Sequence, residues 1–291
     1  MNIKLCAIGF LLLVLYANVQ LHAQQGDTNS FENIKTNADS GDAAAQYNIG
    51  AIYYRGQGVA QDFTEAVKWY RKAAEQKFAA AQYDLGVCYR DGKGVAKDAA
   101  EAVSWFQKAA DQNLAISQYN LGVCYGAGQG VVKDDFEAVK WYRKAAEQNL
   151  AYAESNLGTC YEHGNGVPKD YEEAVKWYRK AAEQNYVIAE YDLAACYANG
   201  VGVEKDGVEA VKWYRKAAEQ NYATAQCNLG VCYGTGQGVA TDYVEAYKWL
   251  NLASAQGDAI AKENLPTIES WMTRDQIKEA QRLTREFKPQ K

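Results

Sequence analysis

Six pairs of acidic residues recur along this 291-residue chain: Asp62 with Glu65, Asp98 with Glu101, Asp134 with Glu137, Asp170 with Glu173, Asp206 with Glu209 and Asp242 with Glu245. Paired carboxylates can serve as general acid and base, but helix capping accounts for all six. A Gly-x-Gly also recurs at six equivalent places 36 residues apart, from Gly56-Gln57-Gly58 to Gly236-Gln237-Gly238, without the third glycine of a dinucleotide fingerprint. Each follows a predicted helix and reads as a turn. Only two histidines exist, His22 and His163, too few for a zinc site or an obvious triad. Gly-x-Ser-x-Gly, Ser-x-x-Lys and His-Glu-x-x-His are all missing. The chemistry-bearing residues therefore predict no catalytic residue, no metal and no cofactor.

The cysteines follow the same regularity. Cys88, Cys124, Cys160, Cys196 and Cys232 lie 36 residues apart. Equivalent sites in stacked helical hairpins are separated by about 8–10 Å, whereas a disulfide needs Cα atoms within about 7 Å. Cys227 and Cys232 stand at i, i+5, also a poor spacing. No disulfide is expected, and the ladder reads as small apolar core residues. Cys227, placed on the outer face by this reading, is expected to be the more reactive thiol.

What positions these residues is an internal repeat. Trp69, Trp105, Trp141, Trp177, Trp213 and Trp249 keep the same interval of 36. Repeats of residues 43–78, 79–114, 115–150, 151–186, 187–222 and 223–258 fit without an insertion. In the first, helix A runs over about 43–54, a Gly56-Gln57-Gly58-Val59 loop follows, and helix B runs over about 63–76. Glycine ends helix A because it adopts positive φ without a Cβ clash. Helix B opens on a capping box, with Asp accepting from the first turn and Glu reaching back to the cap. At 100° per residue, Ala81, Leu85, Cys88, Tyr89 and Gly92 share one face of helix A. Helix B is expected to bury Ala66, Tyr70, Ala73 and Ala74, with Trp69 on the shoulder.

The ends differ. Residues 1–23 read as a secretory signal peptide, with a basic start through Lys4, an apolar run from Leu5 to Tyr16 and a cleavage point after Ala23. Residues 24–42 form an N-terminal cap, where Phe31 to Asp39 resembles a truncated helix B and Ala38 aligns with Ala74. Residues 259–291 cap the other end, with a seventh helix A over Ala259–Trp271. Thr273-x-x-Gln276 then opens a last helix reaching about Phe287. Removal of Lys4 shifts the net charge from −5 to −6. With no basic stripe, nucleic acid is not the expected partner, nor is stable membrane insertion expected.

The pattern Ala-x-x-x-Leu-Gly-x-x-Tyr-x-x-Gly-x-Gly-Val-x-x-Asp-x-x-x-Ala-x-x-Trp-Tyr-x-Lys-Ala-Ala runs through Ala115–Ala146 with Ser117 for the first Ala, and through Ala79–Ala110 with Phe106 for the Tyr. It resembles the Sel-1-like repeat, a relative of the tetratricopeptide repeat, over residues 43–258. Ala194 replaces the helix-A Gly in the fifth copy, and Leu250-Asn251-Leu252 replaces Tyr-Arg-Lys in the sixth. The resemblance implies an all-α, right-handed α/α superhelical solenoid of six 36-residue helix-turn-helix repeats with terminal capping helices. It also implies an adaptor or scaffold role. Cysteine-rich relatives pin each hairpin with two cysteines per repeat; here the second to fifth repeats carry one each, on helix A.

The remaining face of helix A, at repeat positions 2, 5, 9, 12 and 13, lines the concave groove in tetratricopeptide relatives. Position 5 gives Tyr47, Tyr83, Tyr119, Ser155, Tyr191 and Cys227, and position 6 gives Asn48, Asp84, Asn120, Asn156, Asp192 and Asn228. Position 13 varies freely, from Arg55 to His163 and Thr235. An Asn/Asp ladder can hold the amides of an extended chain while tyrosines supply flat apolar contact. The expected ligand-binding residues are Tyr47, Asn48, Tyr83, Asp84, Tyr119, Asn120, Asn156, Tyr191, Asp192 and Asn228. The expected function is an exported, periplasmic or secreted scaffold for a protein or peptide. Two alternatives are a structural spacer of the cell envelope and a β-lactam-binding or hydrolysing relative of the cysteine-rich members.

Overall fold

The computed structural model describes residues 28–290, so the expected signal peptide over 1–23 lies outside the described residues. Among those described there are fifteen helices and no strand. They are α1 (Thr28–Asp39), α2 (Ala43–Arg55), α3 (Phe63–Glu75), α4 (Ala79–Asp91), α5 (Ala99–Asp111), α6 (Ala115–Ala127), α7 (Asp135–Ala146) and α8 (Ala151–His163). Then come α9 (Tyr171–Glu183), α10 (Val187–Asn199), α11 (Gly207–Glu219), α12 (Ala223–Thr235), α13 (Tyr243–Ala255), α14 (Ala259–Ser270) and α15 (Arg274–Glu286). The fold class is an all-α solenoid of helical hairpins. Two compact units divide within α5, between Ala109 and Ala110.

Within each unit the even-numbered helices α2 to α12 are A helices, and the odd-numbered α3 to α13 are B helices. Each hairpin closes through small residues. Gly86 of α4 lies against the Phe106 ring of α5, and a Cβ there would come within 2.7 Å of it. Gly122 of α6 is still tighter, at 2.5 Å from Tyr142. Leu85, Leu121, Leu157, Leu193 and Leu229 are fully buried along the A helices, as are Ala73, Ala109, Ala145, Ala181 and Ala217 along the B helices. Arginines on B helices tie to the next A helix: Arg71 donates to the Tyr89 hydroxyl at 2.5 Å, Arg143 to Tyr161 at 2.9 Å and Arg179 to Tyr197 at 2.6 Å.

The loop after helix A is set by backbone geometry. Gly92 has φ 71° and its N–H donates to the Cys88 carbonyl. At Gly94, φ is also 71°, and a Cβ would fall 2.1 Å from the Phe63 carbonyl oxygen. No side chain fits there. Gly92 is therefore an exposed helix cap and not part of the core face, and Tyr89 is only half-buried because Arg71 holds its hydroxyl. Gln82 and Gly86 occupy the buried face instead.

The capping expectation holds in one direction only. Asp62 accepts from the Glu65 N–H at 2.9 Å, and the other five Asp caps make the same contact. No Glu of these pairs reaches back. The cap N–H is already used, as in Asp62 N–H to Tyr53 O at 3.0 Å and Asp98 N–H to Tyr89 O at 2.9 Å. The glutamates turn along the helix: Glu65 pairs with Lys68, while Glu101, Glu209 and Glu245 accept from the indoles of Trp105, Trp213 and Trp249. Among the described helices, the reciprocal box is formed by Thr273 and Gln276.

A buried polar layer was not anticipated. Position 4 of the repeats holds Gln46, Gln82, Gln118, Glu154, Glu190 and Gln226, all buried. Gln46 donates to the Ala38 carbonyl at 3.1 Å, as Gln82 does to Ala74, so α1 closes the first repeat as a B helix would. The Gln46 carbonyl in turn accepts from Gln76 at 2.8 Å. Buried amides need such partners on both ends.

Candidate functional site

All the anticipated site residues sit on A helices, but the scaffold uses most of them. The Tyr47 ring packs 5.7 Å from Tyr70 and 5.2 Å from Phe78. Tyr83 lies 5.8 Å from Phe106. Tyr119 lies 6.0 Å from both Tyr142 and Tyr152, and Tyr191 lies 5.9 Å from Tyr214 and 5.4 Å from Tyr222. These tyrosines are half-buried; Ser155 and Cys227, at the same position, are buried.

Two of the position-6 asparagines hydrogen-bond tyrosine hydroxyls. Asn156 bonds the hydroxyls of Tyr119 and Tyr142, and Asn228 those of Tyr191 and Tyr214. Asn120 is buried, and its amide donates to the Ile116 carbonyl at 2.8 Å. Asn48 is the exposed member.

The two aspartates differ in their company. Burial pushes the Asp84 carboxyl up to about 6, against the Tyr47 hydrogen bond and the Arg55 charge, which both favour its ionised form. Asp192 is pushed up to about 7 by burial, with Glu162 adding a like charge. Glu162 itself accepts from the Tyr178 hydroxyl at 2.6 Å. Glu162, Asp192, Ala195, Cys196, Asn199 and Val201 surround a cleft of about 90 Å³. Thus positions 6, 9 and 13 of one repeat and 12 of the preceding one share a surface. Arg55 and Glu162 lie outside the ligand-binding set that the sequence predicts. Reading positions 12 and 13 against the acid in the next repeat is the signal that finds them.

Three further placements matter. Cys227 is not an exposed reactive thiol: it is 2% exposed, and burial together with Asp258 pushes it up to about 12. Its thiolate is disfavoured for both reasons. His163 lies exposed at the end of α8, with Nδ1 3.0 Å from the Thr159 carbonyl. On the loop edge, Phe136 is 76% exposed beside a broader cleft of about 560 Å³ that includes Lys133 and Pro168. Among the described residues, no group of three or more His, Cys, Asp or Glu is arranged to hold a metal, and no helix is long and apolar enough to cross a membrane.

A chain of helical hairpins with a repeated, partly variable A-helix face defines an α/α repeat protein of the interaction class. The chain belongs to the Sel1 repeat family, whose model matches residues 43–78, 79–114, 115–150, 151–186, 187–222 and 223–258. Proteins of this family are generally protein-interaction scaffolds and typically not enzymes. Its fold is similar to that of c5321, a protective antigen of uropathogenic Escherichia coli, with TM-score 0.82 and 38% identity over 88% of this chain and 55% of that one. A Sel1 repeat protein from Oxalobacter formigenes gives TM-score 0.67 and 39% identity over 73% of this chain and 85% of that one. In sequence, the secretory immunoglobulin A-binding protein EsiB of Escherichia coli O6:H1 is 40% identical over 70 residues, 24% of this chain and 14% of EsiB. The chain thus spans about half the length of c5321 and a small part of EsiB.

Proposed function

We propose that this chain is an exported scaffold that holds a protein or peptide partner against the A-helix face of its repeats and carries out no reaction itself. The reading rests on one observation above others: an invariant scaffold presents side chains that change from repeat to repeat. Asn48, Asp91, Ala127, His163, Asn199 and Thr235 are exposed there and share no chemistry. Variation along the A-helix face is what a binding surface of stacked repeats requires. The tyrosine and Asn/Asp ladder contributes through its accessible edges: Tyr47, Tyr83, Tyr119 and Tyr191 offer ring edges, Asp84, Asn156 and Asn228 bond tyrosine hydroxyls, and Asn48, Asn120 and Asp192 complete the ladder. The EsiB and c5321 likenesses favour a protein partner in an exposed bacterial setting. Residues 1–23 direct export and leave with the signal peptide.

The test uses the mature chain and a variant with Asn48→Arg, Asp91→Arg, His163→Glu and Asn199→Arg, all at exposed positions. Both are immobilised and exposed to envelope extract of the producing cell. A partner kept by the wild type and lost by the folded variant supports the reading, and identical catches contradict it. Sequencing of the secreted protein should begin at Gln24.

A further inference from the structure

Four repeats place a glutamine at position 4, and the amide works in two directions. In the sixth repeat, Gln226 Oε1 accepts from Gln256 at 2.8 Å, while its Nε2 donates to the Ala218 carbonyl at 3.1 Å and to Asn221 Oδ1 at 3.2 Å. In the third, Gln118 accepts from Gln148 at 2.7 Å and donates to Asn113 Oδ1 at 3.0 Å. The fourth and fifth repeats carry Glu154 and Glu190 instead. Their Oε2 atoms accept from Gln184 at 2.6 Å and Gln220 at 2.7 Å, preserving the accepting half.

The donating half is broken. Glu190 is fully buried, and its Oε1 has no hydrogen-bond partner. By repeat equivalence the acceptors opposite it are the Ala182 carbonyl and Asn185 Oδ1, matching Ala218 and Asn221. A carboxylate has no hydrogen to offer them, and burying it beside acceptor oxygens is costly. Lys216 and Glu219 of α11 are the charged groups that act on Glu190, while α9 contributes the buried Ala181 and Ala182. Lys180 and Glu183 of α9 act on Glu154, and α7 presents Ala145 and Ala146.

We infer that Glu190, with Glu154 as its weaker companion, is a protonation switch in the fourth and fifth repeats. The proton comes from solvent onto Oε1, and the resulting O–H donates where a glutamine amide donates in the other repeats. Losing that proton loosens α10 against α9. Burial supports this: it raises Glu190 from 4.5 to about 7, outweighing Lys216 and the Gln220 hydrogen bond, and it raises Glu154 in the same direction. The folded state therefore binds the proton more tightly than the unfolded chain. The stability that Glu190 contributes is fully present below the unfolded value of 4.5 and is lost as pH rises through about 7.

The test compares the full chain with Glu190→Gln and with Glu154→Gln/Glu190→Gln, which install the residue that the other repeats carry. Hydrogen-exchange protection of α10 is measured at pH 5 and pH 8 after correction for intrinsic exchange rates. The wild type should lose roughly tenfold to a hundredfold in protection between the two. Glu190→Gln should lose much less and exceed the wild type at pH 8. Asp84 and Asp192 also titrate in this range, so the difference between variants is the readout. Equal losses in wild type and variant would overturn the inference. So would a Glu190→Gln penalty of the same size at both pH values, the mark of a merely structural role.

Discussion

Asp84 in the second repeat and Asp192 in the fifth occupy the same position of helix A, yet their surroundings are built differently. Asp84 receives the Tyr47 hydroxyl and faces Arg55. The residues at the matching positions before Asp192 are Ser155 and His163; Ser155 is buried and too short to replace a phenol, and His163 turns to the Thr159 carbonyl. Glu162 stands near Asp192 instead, its charge opposing ionisation. The difference shows how a repeat scaffold diversifies. The apolar layer is copied almost unchanged, while three substitutions in the preceding repeat decide whether a half-buried acid meets a phenol and an arginine or a second carboxylate.

If the apolar layer is equivalent in both regions, Leu85→Ala and Leu193→Ala should cost similar amounts, about 2–5 kcal/mol each, since both leucines are fully buried. Urea denaturation would show this, and clearly unequal costs would break the comparison at its base. The acids should then diverge. Asp192→Asn should stabilise the protein by about 1–3 kcal/mol above pH 7, because a carboxyl raised from 3.8 to about 7 weakens the fold when ionised. That gain should vanish below about pH 4, where folded and unfolded forms are both protonated. Arg55→Ala should destabilise by about 1–2 kcal/mol at pH 8 and move Asp84 above its value of about 6, read by carboxyl NMR. The smallest effect concerns the turn between repeats. Lys77 has φ 64° where later repeats carry Asn113, Asn149, Asn185 and Asn221 in the same left-handed conformation. Lys77→Asn should raise thermal stability by about 0.5–1 kcal/mol, since asparagine tolerates that region better.

The hairpins were readable to within a residue. Helix A, expected over 43–54, ends at Arg55, and helix B, expected over 63–76, ends at Glu75. Tryptophan spacing and paired glycines carry that information locally. The polar layer was not readable. Gln82 resembles a surface residue in its own helix, and its burial follows from packing against the preceding B helix, whose Ala74 carbonyl it meets at 3.1 Å. Cys227 was misplaced for a related reason: a helical wheel sees one helix, whereas Asp258, which begins the next A helix, closes over this thiol. The groove ladder was legible as a pattern. Its engagement with neighbouring tyrosines depends on distances between repeats that no single repeat encodes.

The most direct test of the account is hydrogen exchange on the full chain with and without the captured partner. Protection concentrated on the A helices α2, α4, α6, α8, α10 and α12 is the predicted result. Protection confined to the B helices, or to the loop edge around Phe136, would contradict it.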